Sequence, residues 1–92
     1  MNGKEDEAMR RKRLLFRCTH RGIRELDLIL GHFARTELPR LDAKQLDSFE
    51  AILDVDDSDL YKWVSGRERP PPELDSQVMD MILNIKIDKV NN

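Results

Sequence analysis

The chain has 92 residues, 37% charged and 39% hydrophobic, with a formal net charge of −2 and a single cysteine. That length gives one domain burying about 60–65% of its unfolded surface, enough for one core under a charged shell and too little for an ordinary active-site cleft. One cysteine excludes an internal disulfide framework and suits a reducing compartment, and no run approaches the roughly 20 apolar residues of a membrane span. The polar start, Met1–Glu7, is no secretory signal. The domain follows directly on the Arg-rich stretch Arg10–Arg17, which leaves no removable presequence, so we expect a cytoplasmic, bacterial protein.

Charge is unevenly distributed. From Ala8 to Arg24 there are seven basic residues (Arg10, Arg11, Lys12, Arg13, Arg17, Arg21, Arg24) and no acid; from Glu25 to Asp80, 14 acids stand against six bases. A domain so divided can meet an acidic partner or bind nucleic acid through its basic end.

Residues 1–7 lack apolar content and are expected to form a disordered tail. From Ala8 to Cys18 the residues are good helix formers, with a thin apolar stripe of Leu14, Leu15 and Cys18. Thr19 is placed to cap a second helix, in which Ile23, Leu26, Leu30, Phe33 and Ala34 recur at core-facing spacing. Pro39 ends that region. Asp42-Ala43-Lys44-Gln45 has the form of a capping box and opens a third helix with Leu46, Phe49, Ile52 and Leu53 inward. Asp56-Asp57-Ser58-Asp59 supplies a new cap, with acids at the positive end of a short fourth helix carrying Leu60, Trp63 and Val64. Gly66 stops it, and a stiff, proline-rich connection follows. A fifth helix is predicted from about Pro72 to Asp88, with Leu74, Val78, Met81, Ile82 and Ile85 on one face; residues 89–92 are expected to fray. Nothing reads as a strand. The predicted fold is all-α, a single compact bundle of about five short helices over residues 8–88.

Residue types that carry chemistry are scarce. Cys18, His20 and His32 are the only nitrogen or sulfur ligands, and they lack the closely spaced pairs of a tetrahedral zinc site. Asp54, Asp56 and Ser58 resemble the start of an EF-hand loop, but Asp59 stands where glycine is needed and Ser65 where glutamate is. Helix capping accounts for these acids better. Cys18 and His20 do not face each other on a helix, which favours a half-buried structural cysteine over a thiolate–imidazole pair. The four glycines form no phosphate-binding loop. We therefore assign no catalytic residue, no metal and no cofactor of the chain's own. The basic first helix is either a solvated face or a phosphate-backbone surface. Trp63 is either a core anchor or an exposed hot spot.

The stretch Thr19-His20-Arg21-Gly22-Ile23-Arg24-Glu25-Leu26-Asp27 stands apart. Its glycine falls within an expected helix, where it costs roughly 1 kcal/mol against alanine. An exposed Arg21–Glu25 pair at i, i+4 leaves that glycine unexplained. A glycine near a helix start lets another backbone or a flat ligand approach closely, and leaves first-turn amides open to an anion or carbonyl oxygen. Arg21 is then expected to fork onto a partner carboxylate, with Glu25 orienting it or accepting from the partner. On this reading Arg21→Ala weakens partner binding and leaves the melting temperature nearly unchanged.

His20-Arg21-Gly22-Ile23-Arg24-Glu25-Leu26-Asp27 resembles the RGxxE signature of the succinate dehydrogenase FAD assembly factor family, small helical proteins of bacteria and mitochondria. Asp56-Asp57-Ser58-Asp59-Leu60-Tyr61-Lys62-Trp63 is similar to that family's second acidic and aromatic block, and order, spacing and length agree from Leu14 to Met81. Relatives often have proline where Ser58 stands, a first helical position that tolerates either. The resemblance implies an assembly factor, not an enzyme, that binds the flavoprotein subunit of succinate dehydrogenase, or a related fumarate reductase, and promotes its covalent FAD attachment. It also implies that the partner carries the FAD and forms its own histidyl–flavin bond, and that Arg21, Gly22 and Glu25 face the flavoprotein near its FAD site. Asp56, Asp57 and Trp63 of the second block complete the candidate partner-binding set. We expect a monomer when free, with no nucleic-acid or membrane partner. The alternative is a small nucleic-acid-binding helical module using the basic first helix.

Overall fold

Three of the five described α-helices begin where a side chain accepts an amide that the first turn leaves unpaired. The computed structural model describes residues 6–85; of the tail expected at 1–7 only Asp6 and Glu7 are described, as helix cap and first helical residue, the tail expected at 89–92 lies outside the described residues, and the fifth helix, predicted to run to Asp88, ends at Leu83. Asp6 accepts the Met9 amide at 2.8 Å, so α1 (Glu7–Cys18) starts one residue ahead of the expected Ala8. At Asp42 the capping box forms in full: its carboxylate accepts from Gln45 N at 2.8 Å, and Gln45 Oε1 accepts from Asp42 N at 2.9 Å, opening α3 (Ala43–Leu53). Asp56 occupies the cap position of α4 (Asp57–Val64) without a side-chain capping bond.

Two boundaries differ from the sequence reading. Thr19 does not cap the second helix. Its amide closes the end of α1 on the Phe16 carbonyl, and α2 (Arg24–Thr36) begins five residues later behind Ile23. The amides of Arg21 and Gly22 find carboxylates instead of helix carbonyls, which holds residues 19–23 as a loop. The predicted fifth helix is also divided. Pro72–Leu74 is a single 3₁₀ turn, and α5 (Gln77–Leu83) starts at Ser76, whose hydroxyl accepts from Met79 N.

Helix α4 stops as expected at Gly66. With φ of +82°, Gly66 lets its own amide reach Trp63 O and the Arg67 amide reach Lys62 O, a Schellman closure. Among the described residues there is no strand, and the fold is an all-α bundle. Helix α2 is the central element, lying against α1, α4 and α5, while α3 packs on α1 and α5. Leu26, Ile29, Leu30 and Phe33 supply its core stripe, and Phe33 meets Phe49 of α3 at 4.9 Å between ring centroids. No described helix is long and apolar enough to cross a membrane.

Candidate functional site

The loop between α1 and α2 is held by carboxylates from two other places in the fold. Asp27, in the first turn of α2, accepts the Arg21 amide at 2.9 Å; Asp57, at the start of α4, accepts the Gly22 amide at 2.7 Å. The same Asp57 takes the Arg21 guanidinium at 2.7 Å through its other oxygen. Two further guanidinium bonds run to the carbonyls of Leu53 (2.9 Å) and Val55 (3.2 Å). These lie at the C-terminal end of α3, where the last carbonyls have no intrahelical partner and carry the negative end of the helix dipole. One arginine thus ties the α1–α2 loop to the α3–α4 junction.

This arrangement corrects two expectations. The Arg21 side chain is only 8% exposed and turned into its own chain, so it is not extended towards a partner carboxylate. Gly22 lies in the loop, outside any helix, and its φ is not positive. A Cβ at Gly22 would stand 3.2 Å from Asp57 Oδ2, so that carboxylate would have to shift by a few tenths of an ångström. The close approach that asks for glycine comes first from Asp57. Gly22 itself remains exposed on the outer side.

The other candidates fall in different places. Glu25, one turn into the motif, is half-buried and has no hydrogen bond or ion pair to a described residue, so the Arg21–Glu25 pair does not form. Asp56 is exposed beside Asp57. Trp63 is 9% exposed and belongs to the core with Leu60, which fits the anchor reading. Arg21, Gly22 and Asp57 therefore meet in one clasp, with Asp56 exposed beside Asp57 and Glu25 half-buried in the first turn of α2. Asp27 is a member that the sequence reading did not single out; its only signal was an acid in the first turn of α2.

The basic half of the chain is likewise turned inward. Arg10 reaches Asp47 (2.8 Å) and Glu50 (2.9 Å), Arg13 reaches Glu50 (2.7 Å), and Arg17 reaches Asp54 (2.8 Å) together with the Leu53 carbonyl (2.9 Å). Arg11 donates to the carbonyls of Leu38 (3.2 Å) and Leu41 (2.6 Å) on the opposite flank. The Arg13 guanidinium, with Arg10 beside it, holds the Glu50 carboxyl below its usual range against the opposing effect of burial. Arg10, Arg11, Arg13, Arg17 and Arg21, five of the seven bases, are thereby paired with acceptors of the chain itself.

Cys18 is fully buried, and burial pushes its thiol up to about 12, so at neutral pH it is a small apolar core residue and not a nucleophile. His20 is committed elsewhere, with Nδ1 2.8 Å from the Phe16 carbonyl and its ring stacked on Phe16 at 3.8 Å. Among the described residues no three His, Cys, Asp or Glu side chains gather as metal ligands. Phe16, Arg17, His20, Arg21 and Asp57 line a shallow depression of about 220 Å³ beside the loop.

The family described as the flavinator of succinate dehydrogenase matches residues 12–86. The FAD assembly factor SdhE of Legionella pneumophila (strain Lens) is 44% identical over 64 residues, 70% of this chain and 80% of that protein. The mitochondrial succinate dehydrogenase assembly factor 2 of Cryptococcus neoformans is 44% identical over 68 residues, 74% of this chain and 38% of that protein. Its counterpart in Arabidopsis thaliana is 30% identical over 89 residues, 97% of this chain and 47% of the relative. The chain spans less than half the length of these two mitochondrial relatives and most of the bacterial one. With the motif held by its clasp and the match running from the middle of α1 to the end of α5, this chain belongs to the family of flavinators of succinate dehydrogenase.

Proposed function

We propose that the chain binds the flavoprotein subunit of succinate dehydrogenase and promotes covalent attachment of its FAD, as an assembly factor without chemistry of its own. A related fumarate reductase is a second client on the same reading, and the FAD is carried by the client. The observation that carries this is the division of labour within the motif. Arg21 and Asp57 fix the loop from behind; the loop presents exposed Gly22, and the first turn of α2 carries half-buried Glu25, which has no partner among the described residues.

A rigid surface of this kind favours the one client conformer that fits it, and selective affinity shifts a population without any bond being made by the binder. Holding the client's attachment side chain and the flavin in reacting geometry is an orientation effect, and such effects account for large rate gains. Gly22 and Glu25 are the contact residues on this account, with Asp56 beside them; Arg21 and Asp57 are positioning residues, and Trp63 acts through the core.

The test is a pull-down of the purified flavoprotein subunit by this chain, followed by in-gel flavin fluorescence with and without it. The proposal expects a complex and a rise in covalently bound flavin. No complex, together with equal fluorescence in both lanes, would reject it. The nucleic-acid reading loses support because five of its cations are already occupied within the chain; a salt-dependent shift of duplex DNA or RNA would revive it.

A further inference from the structure

All the large hydrophobic side chains that stand exposed among the described residues lie on α1: Met9 (60% exposed), Leu15 (41%) and Phe16 (62%). At about 3.6 residues per turn Met9 and Phe16, seven residues apart, fall on one line. Leu14 and Cys18 point to the core, and Arg10, Arg13 and Arg17 sit on the flank that meets α3. Arg11 sits on the flank that meets the turn at Leu38–Arg40. Met9 and Phe16 occupy the arc opposite the core, with Lys12 beside them and without a partner among the described residues, whereas Leu15, expected on the core stripe with Leu14 and Cys18, lies on the flank nearer Arg11.

A helix on the surface of a bundle ordinarily carries its charges on that outward arc. Here the arginines are drawn sideways into the fold, and the solvent side is apolar. Apolar residues on two opposite faces describe a helix that is covered on both sides when its assembly is complete.

We infer that the outward face of α1 is the apolar half of the surface that receives the flavoprotein, with Phe16 as its anchor. This rests on the assembly-factor reading and extends its contact surface beyond the motif. Phe16 stacks on His20, and both line the depression beside Arg21 and Asp57, so the outward face of α1 adjoins the loop that carries Gly22. Lys12, the one ion on that arc, is a cation without a described partner. The complementary surface is therefore apolar, with a carboxylate to meet Lys12. A second copy set face to face would bring two Lys12 side chains together, which disfavours an isologous dimer. An anionic membrane is disfavoured because the arginines that would attract it are already paired with α3.

The test titrates the full chain, and its Phe16→Gln and Met9→Gln/Phe16→Gln variants, into purified flavoprotein subunit lacking covalent FAD, with melting curves alongside. Phe16→Gln is expected to lower affinity by roughly tenfold or more and the double variant further. Melting should stay within about 3 degrees of the parent, because both side chains are exposed. Unchanged affinity of these variants, while the parent binds, overturns the inference and leaves the assembly-factor reading intact. A parent chain that neither binds nor raises flavin attachment overturns that reading, and the inference with it. Parent binding to phosphatidylglycerol vesicles, or a parent dimer that Phe16→Gln dissociates, overturns the inference by naming another occupant.

Discussion

Arg10, Arg17 and Arg13 reach from α1 to the carboxylates of α3 and keep 21%, 30% and 41% of their side-chain surface in water, whereas Arg21 closes on Asp57 and two backbone carbonyls and keeps 8%. The residue types are the same and the distances similar. Surroundings make the difference. An exposed pair gains little over its hydrated ions, typically between 0 and about 1 kcal/mol. A buried guanidinium that has given up water depends on every acceptor it has, and removing one side of such a pair costs about 3 kcal/mol or more. The α1–α3 ladder therefore orients a helix, while the Arg21 clasp determines whether the loop has a shape at all.

That contrast is open to direct attack. Arg21→Ala is expected to lower stability by about 3 kcal/mol, more than 10 degrees in melting temperature for a domain of this size. This replaces the sequence-based expectation of a thermally silent variant. Arg21→Lys should recover only part of the loss, since one ammonium cannot reproduce a fixed fork onto Asp57, Leu53 O and Val55 O. A melting curve superimposable on the parent would show the clasp to be dispensable.

Gly22→Arg is a milder structural change with a larger functional one. Its side chain starts 3.2 Å from Asp57 Oδ2 and brings a second guanidinium to a carboxylate that Arg21 already uses. We expect retained helical circular dichroism, a stability loss of about 1 kcal/mol, and no support of flavin attachment. Full support of flavin attachment by the folded variant would remove Gly22 from the account.

The ladder should respond to acid. Glu50 has its carboxyl held below the ordinary value of 4.5 in the folded chain, so its contribution is complete at neutral pH and is lost as pH falls through that lowered value. Glu50→Gln should cost up to about 1 kcal/mol at pH 7 and leave a shallower fall in melting temperature below about pH 4.5. Parallel acid profiles for parent and variant would refute this. Asp47→Asn, which removes the more exposed of Arg10's two partners, should be smaller still.

Much of the fold was readable from local pattern. The capping box at Asp42 and Gln45, the stop at Gly66 and the stripes of α2 and α3 each follow from residues within a turn or two of one another. What failed was of two kinds. Thr19 can serve the end of one helix or the start of the next, and the choice was made by Asp27 and Asp57 taking the loop amides. Leu74 keeps helical spacing with Val78, but Ser76 offers a cap that restarts the helix after it. The site followed the same logic. The motif itself is visible in the sequence, yet the partner of Arg21 lies 36 residues away, where Asp57 equally suits the first turn of a helix. An arginine that holds a surface and one that belongs to it look identical until the fold shows which way it turns.

The most direct test of that division compares Glu25→Ala with the parent, in a titration against the flavoprotein subunit and in a melting curve. The account predicts a melting temperature within about 3 degrees of the parent and an affinity lower by roughly tenfold. Undiminished affinity, or a thermal loss as large as that of Arg21→Ala, would contradict it.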